Sequence, residues 1–109
     1  MAAGIRPVLD DVPVSDAFWT CSGVILHNLR ELVTYLGGCN EHDYHYHVNT
    51  DLDKNDFAVW IRDVIHDEVL ARNLSNALPK DQYLARVNER LADLLRWDRD
   101  DQVRRLAST

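Results

Sequence analysis

The sequence predicts an all-α protein, a compact four- to five-helix bundle with an extended N-terminal arm. Three observations predict it. Apolar residues recur at helical spacing in successive stretches, helix-boundary residues separate those stretches, and no stretch sustains the period-two alternation of a half-buried strand. The expected division is an arm over 1–15, a helical bundle over 16–97 and a polar tail over 98–109.

Pro7, Pro13 and Gly4, with scattered Val and Leu, predict an extended arm lying on the surface or a partly disordered tail. Phe18 and Trp19 follow at once, and two large rings there suggest that the arm is pinned. Ser22 is a fair N-cap for a first helix over 23–36. Ile25, Leu29, Leu32, Val33 and Leu36 form its apolar stripe, and Gly37-Gly38 supplies a stop. Asn40 opens a second helix, with Glu41 and Asp43 against its positive end. On it Tyr44, His47 and Val48 share a face, so His47 is the histidine expected to be half-buried, with His42 and His45 in water.

Residues 49–54 read as a polar loop. Asn55 or Asp56 caps a third helix whose inner stripe is Phe57, Trp60, Ile61 and Val64, with Arg62 and Asp63 outside. A break at 65–67 precedes a fourth helix over 68–78, with Leu70, Leu74, Ala77 and Leu78 inward. Pro79 suits the first position of a last helix reaching about Trp97. Leu84, Val87, Leu91, Leu94 and Leu95 form its seam. Arg86 with Glu89, Arg90 with Asp93 and Asp93 with Arg96 are its expected i, i+3 pairs.

One domain is expected of 109 residues, 46% apolar and 28% charged. A net charge of −6 argues against nucleic acid and anionic lipid as partners. The charge is uneven, with acids dense over 41–68 and arginines after Pro79. The favoured reading is a solvated mixed-charge surface, and a meeting of the two regions, within the chain or between copies, is the alternative. Neither a signal peptide nor a membrane span is expected. Cys21 and Cys39, placed beyond opposite ends of the first helix, would lie about 20 Å apart, too far for a disulfide. Reduced thiols suit a cytoplasm.

Chemistry concentrates in 44–65. Tyr44, His47, Asn49, Asn55, Asp56 and Trp60 are the candidate binding residues, because imidazole, carboxylate and amide groups near one another are able to move protons or hold a ligand. No nucleophile elbow or glycine-rich phosphate loop accompanies them, so no catalytic residue is assigned. His42 and His45 at i, i+3 are the weaker, metal-binding alternative; no cofactor is expected. Asp51-Leu-Asp-Lys-Asn-Asp opens like a calcium loop, but Asp56 replaces its glycine and Arg62 its final glutamate. Phe18, Trp19, Trp97, Arg104 and Arg105 are candidate interface residues, since aromatics and Arg are favoured at interfaces.

With Tyr44, His47-Val48-Asn49, Lys54-Asn55-Asp56-Phe57-Ala58, Trp60-Ile61, Asp63-Val64 and Asp67-Glu68-Val69-Leu70-Ala71 in view, the chain resembles a small family of prokaryotic helical domains of unknown function. Gly23 and Leu29-Arg30-Glu31-Leu32 fit the same pattern. The likeness covers about residues 18–78. The chain departs from it in a longer gap before Lys54, and in His66-Asp67 where the family often has Gly-Asp. The resemblance implies a helical module and no known activity. The expected function is a non-enzymatic interaction or assembly module with a protein partner or self-association. The alternative is a small ligand- or metal-binding enzyme or sensor built on Tyr44, His47, Asn49, Asp56 and Trp60.

Overall fold

The computed structural model describes residues 5–107, so the arm's first residues, Gly4 included, and the tail's last two lie outside it. The chain is predominantly helical. Its helices are α1 (Ile5–Leu9), α2 (Leu29–Gly38), α3 (Glu41–His47), α4 (Asp56–Trp60), α5 (Glu68–Arg72) and α6 (Lys80–Ala107). The expectation of no sheet is overturned by two short antiparallel ribbons. β1 (Phe18–Trp19) pairs with β2 (Ile25–Leu26), and β3 (Val48–Asn49) pairs with β4 (Lys54–Asn55). Strands of two residues are too short to show alternation, so periodicity had nothing to register.

The first ribbon also corrects the first helix. Gly23 takes a left-handed φ of 90° at the hairpin tip, where its N–H donates to the Thr20 carbonyl. Residues 24–26 are thereby turned back along 18–20, and Thr20 and Val24 bond through both backbone and hydroxyl. The helix starts only at Leu29. Its cap is Asn28, whose side chain accepts from the Glu31 N–H at 2.8 Å, rather than Ser22. Gly37 and Gly38 finish the helix inside its last turn, and extended Cys39 closes it.

The hairpin carries Cys21 back over α3, where its thiol reaches the Asp43 carbonyl at 3.9 Å. The two cysteines therefore do not flank a long helix, although both are free. The arm is not wholly extended either. It holds α1 and a 3-10 turn at Val14–Asp16. The Val12 N–H ties it to the His27 carbonyl at 2.8 Å.

Beyond α4 the helix widens into a π turn over Ile61–Ile65 and stops at His66, whose φ is 69°. That left-handed conformation is unusual for a side chain larger than glycine. The expected fourth helix is shorter than 68–78, since α5 ends at Arg72. Leu70 and Leu74 are buried as expected, while Ala77 faces out. The polar tail beyond Trp97 extends α6, which runs through Ala107. Arg86 bonds the Asn73 carbonyl, and Arg90 reaches across to Asp67, so neither uses its expected helical neighbour; Asp93 with Arg96 forms as expected.

The core joins Leu26, Leu29, Leu32 and Leu36 to Phe57, Ile61, Leu70, Val87, Leu91 and Leu94, with Tyr44 and Tyr83 fully enclosed. Both phenols donate inside, Tyr44 to the Leu78 carbonyl at 2.6 Å and Tyr83 to Asn55 Oδ1 at 2.7 Å. Burial raises both pKa values well above the ordinary tyrosine range, helped by Glu41 at Tyr44 and by Tyr44 at Tyr83. A raised folded pKa gives stability that is complete below the unfolded value near 10 and falls as pH climbs past it. Each phenol should remove about 1.4 kcal/mol per pH unit in that range. Urea unfolding followed between pH 8 and 11.5 should show this loss, with a shallower slope in Tyr83→Phe. A flat profile would contradict the enclosure of both rings.

Candidate functional site

The candidate binding residues gather at the corner between α3, the second ribbon and α4. They do not converge on one point. His47, at the end of α3, is 3% exposed and packs edge-on against Phe18 and tilted against Phe57, at ring distances of 5.2 and 5.1 Å. Its Nε2 accepts from the Cys21 N–H at 3.0 Å, which leaves Nδ1 to carry the proton and donate to Asp56 Oδ2 at 2.9 Å. Asp56 also holds the Lys54 ammonium at 2.9 Å. Lys54 in turn donates to the Tyr46 carbonyl at 2.7 Å and sits 4.3 Å from the centre of the Tyr46 ring.

A histidine oriented by a carboxylate looks like half of an acid–base site. Here the nitrogen that would take a proton is occupied by a backbone N–H. The pair instead fastens the hairpin tip at Cys21 to the start of α4. His47→Ala is expected to cost about 1–3 kcal/mol, because the Cys21 amide and Asp56 lose a partner. Chemical denaturation measures it. Unchanged stability with loss of a biological activity would overturn this structural role.

Asn55 and Tyr44 face the other way. Asn55 donates to the Leu74 carbonyl at 2.7 Å while accepting from Tyr83, so one amide joins β4, the segment after α5, and α6. Asn49 serves its own turn, donating to the His45 carbonyl and accepting from the Leu52 N–H. Trp60 is buried, and its indole N–H donates to the Asp16 carbonyl at 2.9 Å, pinning the arm. Among the described residues no buried side-chain nitrogen or oxygen lacks a partner.

Sequence reasoning missed Tyr83, Lys54 as an anchor, and the Cys21 amide. Tyr83 stands four residues before Val87 and eight before Leu91, so extending that row by one turn finds it. Nothing local marks a backbone amide as a histidine's partner.

Several hollows border this corner, two of them lined largely by apolar side chains. A shallow trough of about 550 Å³ has His47, Asp56, Trp60 and Phe18 in its floor and Trp19, Tyr46 and Val59 on its rim. Trp19 is 67% exposed. A groove of about 670 Å³ runs between β2 and α2, lined by Val24, Ile25, Leu26, Tyr35, Glu31 and Asp43 among others. Burial raises the pKa of the Tyr35 phenol, opposed by hydrogen bonding from Ser22. Burial likewise raises the Cys39 thiol, opposed by Lys80, so Cys39 is not an activated nucleophile.

Of the expected interface residues, Trp19 is open, whereas Phe18 is largely turned inward onto Phe57 and Trp60. Trp97 is partly open, with the Arg90 guanidinium 5.4 Å from its ring centre. Arg104 and Arg105 lie in the last turn of α6, where Arg105 pairs with Asp101 at 3.1 Å. His42 contacts Asp43 at 3.3 Å, and His45 contacts Glu41 at 3.5 Å. Among the described residues no three His, Cys, Asp or Glu side chains are placed to share a metal. No described helix is long and apolar enough to cross a membrane.

The fold and site define a mostly helical module with a clasped corner. The chain belongs to a family of unknown function, DUF5752, whose model matches residues 16–105. No curated protein and no solved structure matches it significantly.

Proposed function

We propose that this chain is a non-enzymatic protein-interaction or assembly module, an accessory subunit of a larger complex. The observation that carries the reading is a division of labour at the corner. The polar groups of the signature are consumed by internal hydrogen bonds, while Trp19 and Tyr46 stand exposed beside them on the trough rim. Exposed tryptophan and tyrosine over a fixed floor are the chemistry of an interface centre. The free thiols support placing the module in a reducing cytoplasm, and the likeness of the motif supports a prokaryotic source. The net charge of −6 argues for protein rather than nucleic-acid partners.

Light scattering and co-purification of the native chain test the reading at low and high salt. A mass above the monomer, or a stoichiometric protein partner released by Trp19→Ser at unchanged melting temperature, is the expected result. A monomer at every salt concentration with no partner would sink it.

A further inference from the structure

We infer that the distal part of α6 of one copy seats in the β2–α2 groove of a second copy, each giving and receiving, to make a closed dimer. The inference rests on the assembly reading and names its partner.

Helix α6 has 28 residues, about 42 Å at 1.5 Å per residue, and the molecule is 53 Å long but only 27 and 22 Å across. Its buried residues end at Leu94. Beyond that point Val103 is 60% and Leu106 77% exposed. Arg99, Val103 and Leu106 follow the i, i+4, i+7 spacing of one helical face. The acids of this stretch lie elsewhere on the cylinder. Asp101 pairs with Arg105 and Asp98 with Gln102. The distal helix therefore presents an apolar face with an arginine in it.

The groove is its complement. Val24, Ile25, Leu26 and Tyr35 give an apolar lining, and Glu31 and Asp43 are the carboxylates beside it. His27 shares Glu31 at 2.9 Å. The volume, about 670 Å³, is of the size that takes a few side chains. The two surfaces do not meet within one chain. Helix α6 starts against the end of α2, where Lys80 Nζ donates to the Leu36 carbonyl at 2.9 Å, and as a continuous helix it carries its far end away. Reciprocal exchange between two copies satisfies both surfaces at once and closes with two-fold symmetry.

Sedimentation equilibrium of the full chain tests this, with melting temperature checked for every variant. Wild type should be a dimer that weakens with salt. Leu106→Glu on the helix and Val24→Glu on the groove rim should each raise the dimer Kd at least tenfold. Arg99→Glu and Glu31→Lys should each be monomeric alone, yet an equimolar mixture should form a heterodimer, because exchange then restores an opposite-charge contact at both ends. A wild-type monomer, or a dimer indifferent to these changes, overturns the inference. A monomer that still holds a different protein through Trp19 overturns it too, while leaving the interaction reading standing.

Discussion

Replacing Arg90 with alanine is expected to cost the fold about 3–5 kcal/mol, the range for stripping one partner from a buried ion pair. Arg90 grips Asp67 with two nitrogens, at 2.8 and 3.1 Å, and the Asp67 side chain is almost wholly out of water. The same carboxylate caps α5 by accepting from the Leu70 N–H at 3.2 Å. Without the guanidinium, a buried negative charge keeps only the Leu70 amide. Arg90 also lies over the Trp97 ring, a contact made within α6 itself. The Asp93–Arg96 pair is the control. It is largely exposed, and Arg96→Ala should change stability by less than about 1 kcal/mol. Urea unfolding of both variants measures the contrast. Asp67→Asn with Arg90→Met should recover part of the loss, because the charge left behind is then removed as well. If Arg90→Ala and Arg96→Ala cost the same, the cross-helix pair does not hold α5 to α6.

That pair marks where sequence reading stops. The seam of Leu84, Val87, Leu91 and Leu94 is legible because a helix repeats its facing side every 3.6 residues. His47 is legible as an inward ring because Tyr44 and Val48 share its face, and all three are buried. A partner 23 residues away is not legible, so local spacing sends Arg90 to Asp93. The first hairpin is hidden for a related reason. Residues 23–36 carry a helical stripe, and only the left-handed turn at Gly23, made in company with Thr20 and Val24, diverts the first part into a ribbon. The candidate site is legible as a list and not as a shape. His47 and Asp56 do meet, whereas Tyr44 and Asn55 turn to the core and Asn49 closes its own loop. The break after the Trp60 helix was legible as a break. Its cause, a left-handed His66 at φ 69°, was not.

Trp60→Ala should remove about 3–5 kcal/mol, the cost of deleting a large buried aromatic ring. The ring is buried beside Phe18, with centres 5.7 Å apart, and its N–H is the donor that holds the Asp16 carbonyl. Packing and the hydrogen bond are separable. Trp60→Phe keeps most of the ring and loses the donor, so it should cost roughly 1 kcal/mol from the hydrogen bond, plus a smaller packing loss. The two variants should also differ in where the chain opens. With the Asp16 carbonyl released, protease cleavage should quicken on the N-terminal side of Phe18 in both, and only the alanine variant should lower the melting temperature sharply. An unchanged melting temperature in Trp60→Ala would place the indole on the trough surface as a ligand contact, and the small-ligand alternative would regain its central residue. Loss of stability together with loss of arm anchoring would assign the ring to the clasp, leaving Trp19 as the aromatic that a partner meets.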